Sequence, residues 1–125
     1  MKTIALAYVL LVSAAIADSE SKIDCSNPVG GQEESYCADQ KYKASDKLLN
    51  DAFRKSKANM GKTQVKLLLA AQKGWLQLRD NQCALEVFAT RGTTGNNGQY
   101  LDCLTELTQQ RTKQLESTPT DSILK

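Results

Sequence analysis

The residues that could do chemistry are few, and most lie in one run. Residues 72–83 read QKGWLQLRDNQC and hold the chain's single Trp, Trp75, the adjacent pair Arg79–Asp80, and Cys83. Cys25, Cys37 and Cys103 complete the cysteines, and the chain contains no His. Without His, the usual general base near neutral pH is missing. An Arg beside an Asp is not a nucleophile–base pair. No spacing of carboxylates selects two that could act as the acid and base of a glycosidase. The cysteines are open to three uses: thiol, zinc ligand or disulfide. None stands in C-x-x-C spacing, which with the missing His argues against zinc. An even set of cysteines in a small exported chain reads as a disulfide framework. Of the three possible connectivities, Cys25–Cys37 with Cys83–Cys103 is expected, because each pair flanks one turn or loop and closes a short ring. Neither catalytic residues nor a metal or cofactor site is expected.

Export is read from the first residues. MKTIALAYVLLVSAAIADSE has a basic start at Lys2, an apolar run from Thr3 to Ile16, and a small-x-small site at Ala15-Ile16-Ala17. That is the grammar of a secretory signal peptide. The run is shorter than the ~20 residues a spanning helix needs. Residues 1–17 are therefore read as a leader cleaved after Ala17, residues 18–116 as one helical domain, and residues 117–125 as a flexible tail. The next residue is Asp18, so no lipid-anchor cysteine follows the cut, and the location expected is periplasmic or secreted. The whole chain carries 16 Lys and Arg against 14 Asp and Glu, a net charge of +2. Loss of Lys2 with the leader would leave a charge of one. There is no basic field and no block of like charge for nucleic acid, and the aromatics are too scattered to form a base-stacking platform.

The elements that must position these residues are helices. SNPVGG at Ser26–Gly31 is turn chemistry. Tyr42, Asp46, Leu49 and Phe53 then recur at spacings of four, three and four, within a stretch from Gln32 to about Ala58 free of Pro and Gly. Gly61 breaks that helix, and Thr63 can cap the next, expected to run to about Thr90. Its apolar positions form two stripes: Leu68, Ala71, Trp75, Leu78 and Leu85, and Leu69, Gln72, Leu76, Arg79, Cys83 and Val87. A helix so widely apolar is expected at the centre of a bundle. RGTTGNNG, residues 91–98, reads as a flexible polar loop. The third helix is expected from about Gln99 to Leu115, with Tyr100, Cys103 or Leu104, Leu107, Arg111 and Leu115 facing in. The fold class is all-α, a small bundle of three main helices stapled by two disulfides.

On this frame Arg79 shares a face with Cys83 and points inward. A guanidinium cannot shed its proton there and needs a partner. Asp46, on the inward stripe of the first helix, is the expected one. Arg111 is a second inward cation, so Asp46, Arg79 and Arg111 are read as an interhelical polar network. Trp75 is read as a core anchor. If the helices are scaffold, binding residues should lie on the loop, where Arg91, Thr93, Thr94, Asn96 and Asn97 are the candidates for contacting a partner.

Three blocks of this pattern resemble the lysozyme inhibitor LprI-like N-terminal domain family. DCSNPVGGQEESYCADQKYKASDKLLNDAF carries its Cys, short turn, Cys and then Asp46, Leu49, Asn50 and Phe53; AAQKGWLQLRDNQC carries Ala71, Gln72, Trp75, Arg79, Asp80 and Cys83; YLDCLTELTQQRTKQL carries Cys103, Thr108, Arg111 and Leu115. Phe53 stands where Tyr is common, and Gly74 lies just before the Trp. The resemblance implies a secreted or periplasmic helical binding protein with a protein partner. In its most specific form it implies an inhibitor that occludes the cleft of a lysozyme-type muramidase without chemistry of its own. The alternative is an envelope interaction or immunity-type module that binds another protein. A charge near zero offers no long-range attraction to strongly basic lysozymes.

Overall fold

A small residue every seventh position lets two of the helices approach closely. In the computed structural model, which describes residues 22–119, the elements are α1 (Gly30–Ala58), α2 (Lys62–Glu86) and α3 (Asn96–Glu116), with one 3₁₀ turn, Phe88–Thr90, between α2 and α3. The leader read at residues 1–17 and the tail beyond Pro119 lie outside the described residues. The buried positions of α1 are Cys37, Ala38, Ser45, Leu49, Ala52 and Ser56, and those of α3 are Gly98, Leu104, Thr105, Thr108 and Leu115. Ala38, Ser45 and Ala52 repeat at seven, as do Gly98 and Thr105, so α1 and α3 pack along their length with little bulk between them. The buried hydroxyls do not go unpaired. Ser56 donates to the Leu115 carbonyl at 2.9 Å, and Ser45 accepts from Gln109 at 3.3 Å.

The core is a small cluster of Leu49, Ala52, Leu68 and Leu115, with Phe53, Met60 and Trp75 packed against it. It lies where the chain turns from α1 into α2, and all three helices contribute to it. Elsewhere α3 carries both neighbours, while α1 and α2 make little close backbone approach to each other. The expectation of a central α2 is therefore corrected: α3 is the central helix. Only Leu68, Arg79 and Cys83 are buried on α2, whereas Leu67, Leu69, Leu76, Leu78 and Leu85 are exposed. α2 approaches its neighbours less closely than α1 and α3 approach each other, and the leucines that flank its contact line stay in water.

Both disulfides form as expected, Cys25–Cys37 with Cα atoms 5.5 Å apart and Cys83–Cys103 with Cα atoms 5.6 Å apart. The first fastens the segment before α1 to its second turn. The second ties the last turn of α2 to α3. Thr63 does not cap α2; the helix starts after Gly61, with no side-chain cap.

Candidate functional site

Arg79 is the most buried charge among the described residues, 6% exposed. α2 delivers it inward one turn before Cys83. Its guanidinium lies 5.1 Å from the Trp75 ring centroid and 5.7 Å from that of Tyr42 on α1. Its counter-charge is Asp80, which meets Nε at 2.9 Å and Nη2 at 2.8 Å. Nη1 donates to Thr108 on α3 at 3.4 Å. The expected pair with Asp46 does not form. Asp46 accepts instead from Asn50 one turn along its own helix, at 3.0 Å. The carboxylate that Arg79 needs is supplied by its own neighbour in sequence, Asp80, while its other flanks are taken by the Tyr42 and Trp75 rings. The aromatic walls stabilise the cation in the way an anion would. Near this cluster the Tyr100 hydroxyl has its pKa raised, first by burial and then by the charge of Asp80, with Arg79 opposing.

Arg111 is the second inward cation, and its surroundings differ. Nε donates to Gln72 on α2 at 3.0 Å and Nη1 to Gln114 at 3.2 Å. Its guanidinium carbon lies 5.8 Å from the Trp75 ring, so the two arginines share one indole. Partial burial lowers the pKa of its guanidinium. Asp46, Arg79 and Arg111 are thus not one network. Arg79 and Arg111 are joined through Trp75, and Asp46 stands apart.

The segment after α2 is more ordered than its composition suggests. Expected as an open loop over residues 91–98, it is a knot of hydrogen bonds, and α3 already begins at Asn96. The Asn96 amide reaches back to the Val87 carbonyl at 2.9 Å and to the Thr90 hydroxyl at 3.1 Å. The Thr90 hydroxyl meets Gln99 at 2.8 Å, and the Thr93 hydroxyl donates to the Thr90 carbonyl at 2.8 Å. Gly92 takes the left-handed φ of +81° that the turn requires. Thr94 presses on α1 so closely that a Cβ on Gly31 would fall 2.7 Å from its carbonyl oxygen. What projects is a pair of side chains. Phe88 is 55% exposed, and the guanidinium carbon of Arg91 lies 3.5 Å from its ring centroid. Asn97, in the first turn of α3, is also exposed. Sequence reasoning picked Arg91 but missed Phe88, which stands in no polar run; the available signal was a large aromatic placed just after a disulfide-bonded helix end.

Among the described residues, no group of three or more His, Cys, Asp or Glu is placed to hold a metal, and no helix is long and apolar enough to cross a membrane. A protein of Rhizobium meliloti (strain 1021), described as uncharacterized, is 33% identical over 125 aligned positions that cover 90% of each chain. No solved structure matches. The family model described as Lysozyme inhibitor LprI matches residues 25–115, a span from the first disulfide cysteine to the last buried leucine of α3. On that match, over most of its length and with both cysteine pairs inside it, the chain belongs to the lysozyme inhibitor LprI family.

Proposed function

We propose that this is an exported protein that binds a protein partner through the tip between α2 and α3, and that the partner is a lysozyme-type muramidase whose cleft it occludes. The observation that carries this reading is the exposed Phe88–Arg91 stack on a segment held by the Cys83–Cys103 bond and by Asn96. An aromatic ring and an arginine are the side chains most often dominant in protein interfaces. Fixing them before the encounter reduces the ordering cost of binding. Arg91 offers a forked donor to carboxylates such as those lining a muramidase cleft. Thr93, Thr94, Asn96 and Asn97 hold or flank the stack. No step of catalysis is assigned to this chain; occlusion alone would stop the enzyme. The leader read at residues 1–17 and two disulfides in a small domain support action outside the cytoplasm.

The test titrates the mature protein into lysis assays with c-type and g-type lysozymes and repeats this with Phe88→Ala/Arg91→Ala. Stoichiometric inhibition is expected, weakened at least tenfold by the double substitution with little change in thermal midpoint. The second reading, an envelope module for a different protein, is favoured by one observation: the near-neutral chain brings no long-range attraction to a basic lysozyme. Absence of inhibition by either enzyme class, together with tip-dependent capture of another envelope protein, would favour that reading.

A further inference from the structure

At the opposite end of α3 from Arg91, a groove of about 320 Å³ opens between the start of α2 and the end of α3. Leu68 and Leu115 of the core form part of its wall, joined by Met60, Ala71 and the exposed Leu67, and Arg111 is its only charged residue. That arginine differs from Arg79 in one respect that matters. Arg79 has Asp80, whereas the polar contacts of Arg111 are the neutral amides of Gln72 and Gln114. No carboxylate among the described residues lies within ion-pair distance of it. Two of its five N–H groups are thus engaged, and these bonds fix the plane of the guanidinium while leaving other donors free. The site is a mostly apolar trough, with Gln64 and Thr118 also in its lining, and it has one pre-oriented cation in its wall that no carboxylate neutralises.

We propose that this groove binds a single-chain amphiphile with a monoanionic carboxylate head, the head on Arg111 and the acyl chain along Leu67, Ala71 and Leu115. A planar fork suits a carboxylate, and a lone cation suits one negative charge rather than two. A pocket that is largely apolar, with a few fixed polar groups, is the usual form of a small-molecule site. This site is separate from the tip and does not depend on the partner proposed there.

Trp75 supplies the readout, because it is the only Trp in the chain and its ring carries Arg111. Decanoate is titrated into the mature protein below its micellar concentration, with Trp emission and calorimetry recorded, and decanol serves as the uncharged match. One-to-one saturable binding is expected, with decanoate at least tenfold tighter than decanol. Across hexanoate, octanoate and decanoate, affinity should rise about fourfold per methylene buried. Arg111→Gln should reduce decanoate binding to the level of decanol and leave decanol unchanged. Leu67→Ser, at an exposed rim position, should weaken both ligands. Equal affinity for decanoate and decanol overturns the assignment even if Arg111→Gln does not fold. So does a lack of saturation, or decanoate binding that survives Arg111→Gln.

Discussion

Asp80 is half exposed while the cation it serves is buried, and this makes an exposed carboxylate unusually consequential. Removing Asp80 leaves the Arg79 guanidinium between two rings with only Thr108 to accept from it. Asp80→Asn should therefore lower stability by about 1–3 kcal/mol, the range for a hydrogen bond to a charged group, at the low end because water screens the exposed partner. Asp46→Asn, which disturbs only a contact with Asn50 on the same helix, should cost less than about 0.5 kcal/mol. Chemical denaturation of the two variants checks the order, and a reversal would return Arg79 to the partner its sequence position suggested. Tyr100 gives a second test at this scale. Its pKa is raised by burial and by the charge of Asp80, so the unfolded chain loses this proton first as pH rises. Stability should be intact below the ordinary tyrosine value of 10.0 and fall as pH climbs from there through the raised folded value. Tyr100→Phe should lose less stability over that interval; denaturation midpoints from pH 9 to 11 would reveal it.

Helix identity was legible and helix role was not. Period, turn residues and the breaker at Gly61 place three helices, and ring size indicates the disulfide pairing. Large apolar stripes, however, do not mark the centre of this bundle. They point to α2, rich in leucine, whereas the α1–α3 seam is built from Ala38, Ser45, Ala52, Gly98 and Thr105, residues that carry little hydrophobic signal. Small side chains are buried here because they let backbones approach, and this depends on the facing helix. The same limit applies to the site. Arg91 could be picked from its loop, but Phe88 acquires meaning only when Arg91 is seen stacked on it. Two substitutions at leucines test the roles. Leu49→Ala, at a position 1% exposed, should cost about 2–5 kcal/mol. Leu78→Ser, at a position 64% exposed, should stay within about 0.5 kcal/mol of the parent. Comparable losses in thermal melts would mean that α2 is packed on both sides.

Over the whole molecule, the core is modest for the length of its helices, and α1 alone runs about 43 Å at 1.5 Å per residue. Its stability rests on the α1–α3 seam, the cluster around Leu49 and the two cross-links. The position of those cross-links has a topological consequence. Cys25–Cys37 closes a loop within the first third of the chain, and Cys83–Cys103 closes one within the rest. Neither bond spans the turn at Asn59–Gly61 between α1 and α2. The protein is therefore two covalently independent halves joined by a short strap, and the main helix seam runs between the halves. Such a chain can be divided without breaking a cross-link. Residues 22–59 and 62–119, produced separately and oxidised, should recombine into a 1:1 complex with helical content near that of the uncut protein, measurable by circular dichroism. By the same logic, two intact copies refolded at high concentration can trade first helices, since each α1 finds the same seam on its neighbour. The product would be an intertwined dimer that falls apart on dilution only as fast as the seam itself opens.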